Sequence, residues 1–111
     1  MRTHREARIV LVTCANRAEA RRIAQSIVQK RLAACVNILQ SPVESIYRWK
    51  GKVESAREVL LIVKTTAKHL AALEREVMRL HSYQTPEFIV LPIVAGSREY
   101  LGWVAESVRS A

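Results

Sequence analysis

The chain has no aspartate, only three glycines and only two cysteines among its 111 residues, and each shortage removes a class of function. Gly51, Gly96 and Gly102 are too sparse for a phosphate-cradling loop, and no Gly-x-Ser-x-Gly nucleophile turn is present. With the aspartates also missing, the chain is not expected to be an enzyme. His4, His69 and His81 lie far apart, and neither Cys-x-x-Cys nor His-x-x-x-His occurs. A four-ligand structural zinc site therefore cannot be assembled from local pairs. Long apolar runs are missing as well. The longest, Ile9 to Val12 and Val59 to Val63, fall far short of the roughly 20 residues that span a bilayer. The basic stretch Arg2, His4, Arg5 and Arg8 opens into that short run and not into the longer apolar region of a secretory signal. The expected location is the cytoplasm, where Cys14 and Cys35 stay reduced.

What is present supports one packed domain over residues 1–111, with residues 1–7 as a flexible N-terminal segment. Half the residues are apolar and a quarter are charged, the balance of a globule. The net charge of +8 comes largely from arginines scattered over the whole chain, with only Arg21 and Arg22 adjacent. Scattered arginines suit solvated helix faces. The Arg/Lys-Gly-aromatic signature of a base-stacking strand is also missing, so nucleic acid is not an expected partner.

Hydrophobic spacing gives the elements. Arg8 to Ala15 is an unbroken apolar and β-branched run, the pattern of a strand buried on both faces. Asn16-Arg-Ala-Glu19 has the residues of a capping box, and Ala20, Ile23, Ala24, Ile27 and Val28 follow at helical spacing, which predicts a helix over 17–31. The order repeats with a buried strand, Glu58 to Lys64, and a helix capped by Thr66 with Leu70, Leu73, Val77 and Leu80 inward. Between the two units, Ala33 to Trp49 reads as a long strand interrupted at Pro42, and Lys50-Gly51-Lys52 as a hairpin turn. Phe88 to Val94 is an edge strand containing Pro92, and Ser97 caps a last helix with Leu101, Val104, Ala105 and Val108 inward. The sum is an α+β chain of order β-α-β-β-α-β-α, a ferredoxin-like split β-α-β arrangement with an added C-terminal helix.

The hairpin does not fit inside such a domain. Arms of about 13 residues reach about 44 Å, whereas a compact chain of this length has a radius of gyration near 13 Å. An overhanging ribbon carrying Val43, Ile46, Tyr47, Trp49 and Val53 needs a neighbour to cover it. Self-association into a closed ring is the expected remedy.

Five stretches then match one known family in order. They are Arg31-Leu-Ala-Ala-Cys-Val-Asn-Ile38, Ser45-Ile-Tyr-Arg-Trp-Lys-Gly51, Glu58-Val-Leu-Leu-Ile-Val-Lys-Thr-Thr66, His81-Ser-Tyr-Gln-Thr-Pro-Glu87 and Tyr100-Leu-Gly-Trp103. In these the chain resembles the CutA-type divalent-cation tolerance proteins. The resemblance implies a PII-like homotrimer with a cleft between subunits. It also implies binding of copper or another divalent metal ion at positions matching Cys14 and His81. The chain carries Leu80 where some members have a second His, and Ser82 where many have Pro.

Each site residue also has a plainer role. Thiolate and imidazole together suit copper and zinc, yet an unpaired Cys14 at a strand end also reads as a small core residue. His81 reads as a ligand or as a favourable group at a helix C-terminus, where Pro86 ends the segment. Lys64 closes an apolar strand, either paired with Glu58 or Glu87 or facing a ligand cleft with Trp49, Tyr83 and Glu87. Two functions follow: a trimeric metal-binding tolerance protein, or a PII-like signalling or scaffold module that takes a small anionic ligand or a partner protein.

Overall fold

The computed structural model describes residues 5–109. Residues 1–4, most of the segment expected to be flexible, lie outside the described residues. Ala7 belongs instead to β1 (Ala7–Cys14), fully buried. Then come α1 (Arg17–Gln29), β2 (Cys35–Ile38), β3 (Val43–Trp49), β4 (Lys52–Thr66), α2 (Leu70–Leu80), β5 (Ile89–Pro92) and α3 (Arg98–Ser107). The strand order β2-β4-β1-β5, all neighbours antiparallel, is the ferredoxin-like order expected from the sequence.

Alternation along the strands sets the core. Val10, Val12 and Cys14 lie opposite Val63, Leu61 and Val59 across the β1–β4 ladder, so all six project to one face. There they meet Ala20, Ile23 and Ile27 of α1 and Leu73 and Val77 of α2. The other face is only partly covered, with Ile9, Leu11, Leu60 and Ile62 half-buried. This corrects the expectation of strands buried on both faces. α3 packs against β4 and β1 through buried Leu101, Val104 and Val108, whereas Val28, expected inward, is 40% exposed.

The helix ends explain the shifted boundaries. α1 stops at Gln29 because Arg31 adopts φ 59°, Arg31 N–H bonds Val28 O, and Leu32 N–H bonds Ile27 O. That pair of bonds is a Schellman termination, with arginine where glycine is usual. Arg31 turns its guanidinium to the carbonyls of Ser107 and Arg109, 3.5 and 3.3 Å away, tying down the end of α3. Thr66 does not cap α2. A short 3-10 turn over Ala67–His69 intervenes, and the Thr66 hydroxyl meets His69 Nδ1 at 2.8 Å.

β4 is one strand of 15 residues with two jobs. Its C-terminal half pairs with β1 and β2, and its N-terminal half pairs with β3 as a ribbon. Between Ile38↔Leu61 and Val43↔Glu58 the register slips, four residues (39–42) opposing two (59–60). Pro42 lies in that bulge, as a residue without an N–H should. Lys50 (φ 50°) and Gly51 (φ 81°) form the turn, both in the left-handed region that a two-residue type I′ hairpin requires. The ribbon makes the chain long, with extents of 44 × 27 × 24 Å.

The outer side of the helix layer is fastened by Glu76. Its carboxylate accepts from Arg79 Nε and Nη2 (2.9 and 2.7 Å), from Lys30 Nζ (2.9 Å) and from the Ser26 hydroxyl. The hydrogen bonds from Arg79, then Ser26 and Lys30, hold Glu76 well below the ordinary glutamate range. A depressed folded-state value means stabilisation that is complete above the unfolded value of about 4.3 and lost as pH falls below it. Glu76→Gln is therefore expected to be less stable than wild type at pH 7, with the gap closing as pH falls below about 4. Thermal melts from pH 7 to 2.5 check this; a gap constant across that range contradicts it.

Candidate metal centre and adjoining cleft

Three donor residues from separate parts of the chain meet where β1 ends. Cys14 closes β1, Glu19 lies in the first turn of α1, and His81 follows α2. A ligand atom from each lies within 4.8 Å of the others. The cluster joins thiol, carboxylate and imidazole, a donor set suited to copper or zinc.

Hydrogen bonds set the state of each group. His81 Nε2 lies 2.8 Å from Thr13 O, and a carbonyl can only accept, so Nε2 carries the proton. Nδ1 accepts from Tyr83 N–H at 3.1 Å, so the ring is the neutral Nε2–H tautomer with its Nδ1 lone pair 3.8 Å from Glu19 Oε1. Glu19 accepts from Ala15 N–H at 3.2 Å and Ser82 N–H at 2.9 Å, one bond to each oxygen. Burial works against its charge, but the bonds from Ser82 and Ala15 outweigh that and hold Glu19 below the ordinary glutamate value. Cys14 is fully buried. Burial first, then the charges of Glu19 and Glu58, push its thiol up to about 12. The residues fit a thiophilic cation by donor type, on condition that the thiol gives up its proton and His81 Nδ1 gives up the bond from Tyr83 N–H.

Glu19 was legible only as the last residue of a capping box. The N-cap half holds, since Asn16 Oδ1 accepts from Glu19 N–H at 2.9 Å. The Glu19 carboxylate, however, reaches past Asn16 to Ala15 and across to Ser82, a contact over 63 residues that local spacing cannot announce.

Beside the cluster opens a cleft of about 710 Å³ between the ribbon and the segment after α2. Trp49, Tyr83 and Glu87 line it, joined by Tyr47, Glu58 and Thr13. The Tyr83 ring packs against His81 with centroids 4.8 Å apart, so cleft and cluster share a wall. The Tyr83 hydroxyl donates to Glu58 Oε2 at 2.8 Å. Burial and then Glu58 raise the ionisation of Tyr83, and the same two causes raise Glu87. Lys64 is not among the lining residues of the single chain. Its ammonium bonds Asn37 Oδ1 on β2, a correction to the expected pairing with Glu58 or Glu87.

Known proteins share this arrangement of chain. A family model described as CutA1 divalent ion tolerance protein matches residues 8–107. The divalent-cation tolerance protein CutA of Thermus thermophilus is 48% identical over 99 residues, covering 89% of this chain and 95% of that one. The chloroplastic CutA protein of Arabidopsis thaliana is 48% identical over 102 residues, 92% of this chain but 56% of that protein, so the chain spans about half its length. The crystal structure of CutA1 from Oryza sativa superposes with a TM-score of 0.91 at 43% identity, covering 99% of this chain and 100% of that one. By sequence and by fold, the chain belongs to the CutA1 divalent ion tolerance family.

Proposed function

We propose that the protein is a cytoplasmic homotrimer that takes up a borderline divalent cation, copper or zinc, at Cys14, Glu19 and His81. The observation that carries the reading is the convergence of thiol, carboxylate and imidazole donors within 4.8 Å. Two of the three match the positions that the family resemblance implies. Glu19 adds the third.

Assembly is supported by apolar surface left uncovered by the chain itself. Ile46 and Val53 on the ribbon are 69% and 68% exposed, and Ile89, Val90 and Leu91 of edge strand β5 are all exposed. A strand edge of that composition needs a partner. Both cysteines are unbonded, which suits a reducing compartment.

The state of Cys14 gives a quantitative test. A thiol titrating near 12 is protonated throughout pH 6 to 9, and Glu19, held below the ordinary glutamate value, is ionised there, so binding releases the proton of Cys14. Apparent Zn(II) affinity should then rise about tenfold per pH unit over that range. Calorimetric titrations of Zn(II) at several pH values in buffers of different ionisation enthalpy measure both affinity and protons released. Cys14→Ser should bind weakly with no such slope; isotherms identical to wild type would remove Cys14 from the site.

A further inference from the structure

The arginines of α1 stand where they do the helix no service. Arg17, Arg21 and Arg22 are exposed in its first two turns, whereas its last turn holds no cation. A helix favours anions at its N-terminus and cations at its C-terminus, and Arg17 and Arg21, at i and i+4, repel each other. None of the three forms an ion pair among the described residues. The one acid of the first turn, Glu19, is buried and committed to the Ala15 and Ser82 N–H groups. Charges placed against local stability, with no compensating contact inside the chain, mark a functional surface.

A shallow, open trough of about 550 Å³ runs along this helix, lined by Ala18, Arg21, Arg22, Gln25, Ser26 and Gln29. From Ala18 to Gln29 it extends about 16 Å at about 1.5 Å per residue. Its polar groups are guanidinium, amide and hydroxyl, and no carboxylate, aromatic ring or large aliphatic side chain lines it. Ser26 bonds Glu76, whose single carboxylate is shared by Lys30 and Arg79, so that flank also keeps a net positive charge.

We propose that this face of α1 binds a linear inorganic polyphosphate chain, with Arg17, Arg21 and Arg22 as charge partners and Gln25 and Gln29 as further donors. Guanidinium forks match phosphate oxygens two at a time, and successive helical turns repeat such donors about every 6 Å along the trough. The lining selects among polyanions. A single-stranded nucleic acid calls for aromatic faces to stack its bases, an anionic membrane for apolar side chains to insert, and an acidic peptide for buried anchors. The trough offers none of these, and polyphosphate needs only charge and donors.

The surface is distinct from the metal donors, since none of Cys14, Glu19 and His81 lines it, and from the ribbon and β5, to which assembly is assigned. Calorimetric titration of the metal-free protein with long-chain polyphosphate, in buffer containing a chelator, should give saturable binding that weakens with salt. Tripolyphosphate should bind more weakly and orthophosphate not at all. Arg17→Gln/Arg21→Gln/Arg22→Gln should weaken binding about tenfold or more and flatten the salt dependence. That variant should melt no lower than wild type, because the helix loses only unfavourable charges. Arg5→Gln/Arg98→Gln/Arg109→Gln removes equal charge at exposed positions elsewhere and should change binding by less than about twofold. Polyglutamate, duplex DNA and phosphatidylglycerol vesicles at the same charge concentration should all bind more weakly than polyphosphate. Silence toward polyphosphate, equal binding of any of those three, or equal losses in the two variants overturns the proposal. A lower melting temperature of the α1 variant also overturns it, by assigning the arginines to the fold.

Discussion

Glutamates at both Ile46 and Val53 are expected to reduce the proposed homotrimer to the 12.6 kDa of one chain. Both side chains project from the same side of the ribbon, because Ile46 pairs with Ser55 and Arg48 with Val53. At 69% and 68% exposure they make almost no use of their own chain. Burying such a side chain against a neighbour contributes about 1.5–3 kcal/mol, and an unpaired charge in its place adds a desolvation penalty. A closed ring repeats that loss at every interface. Neither residue belongs to the buried core, so far-ultraviolet circular dichroism should remain that of a folded chain. Light scattering of Ile46→Glu/Val53→Glu at micromolar concentration checks the mass; a value unchanged from wild type removes the ribbon from the interface.

Glu19→Ala is expected to lower stability by about 3 kcal/mol, a fall in Tm on the order of 10–20 °C. The carboxylate is 4% exposed and is the acceptor for two backbone N–H groups, Ala15 before α1 and Ser82 after α2. Removing it leaves both without that partner in a part-buried setting, at roughly 1.5 kcal/mol each. Glutamine does not rescue the clamp. Each carboxylate oxygen takes one bond, and an amide supplies one oxygen while turning its NH2 toward the other donor. Glu19→Gln should therefore cost nearly as much as Glu19→Ala and also weaken Zn(II) binding. The comparison is made at one chain concentration, because assembly makes apparent stability concentration-dependent. Full stability of Glu19→Gln contradicts the clamp.

Much of the fold was legible because its signals are local. The apolar runs of β1 and β4, the Asn16 and Ser97 caps and the Lys50-Gly51 turn each lie within a few residues of the structure they specify. Pro42 marked the bulge for the same reason, through its missing N–H. Boundaries failed where a distant contact decides. Arg31 ends α1 in the conformation glycine would favour, and its guanidinium reaches the end of α3, 76 residues or more away.

The candidate site was less legible. Cys14 and His81 stood together through the family resemblance and not through spacing. Glu58 looked like the polar start of a strand and a partner for Lys64, whereas it is buried under Tyr83 at the mouth of the ribbon. Lys64 was expected to pair with Glu58 or Glu87 or to face a cleft; within its own chain its ammonium bonds Asn37 on β2 in place of either glutamate.

Native mass spectrometry of the protein titrated with Zn(II), which does not oxidise the Cys14 thiol, tests the metal reading most directly. The expected spectrum is an assembly of three chains carrying three ions, and a much smaller bound fraction when Cys14→Ser is titrated identically. A wild-type assembly that stays metal-free, or a Cys14→Ser assembly that keeps all its ions, would contradict it.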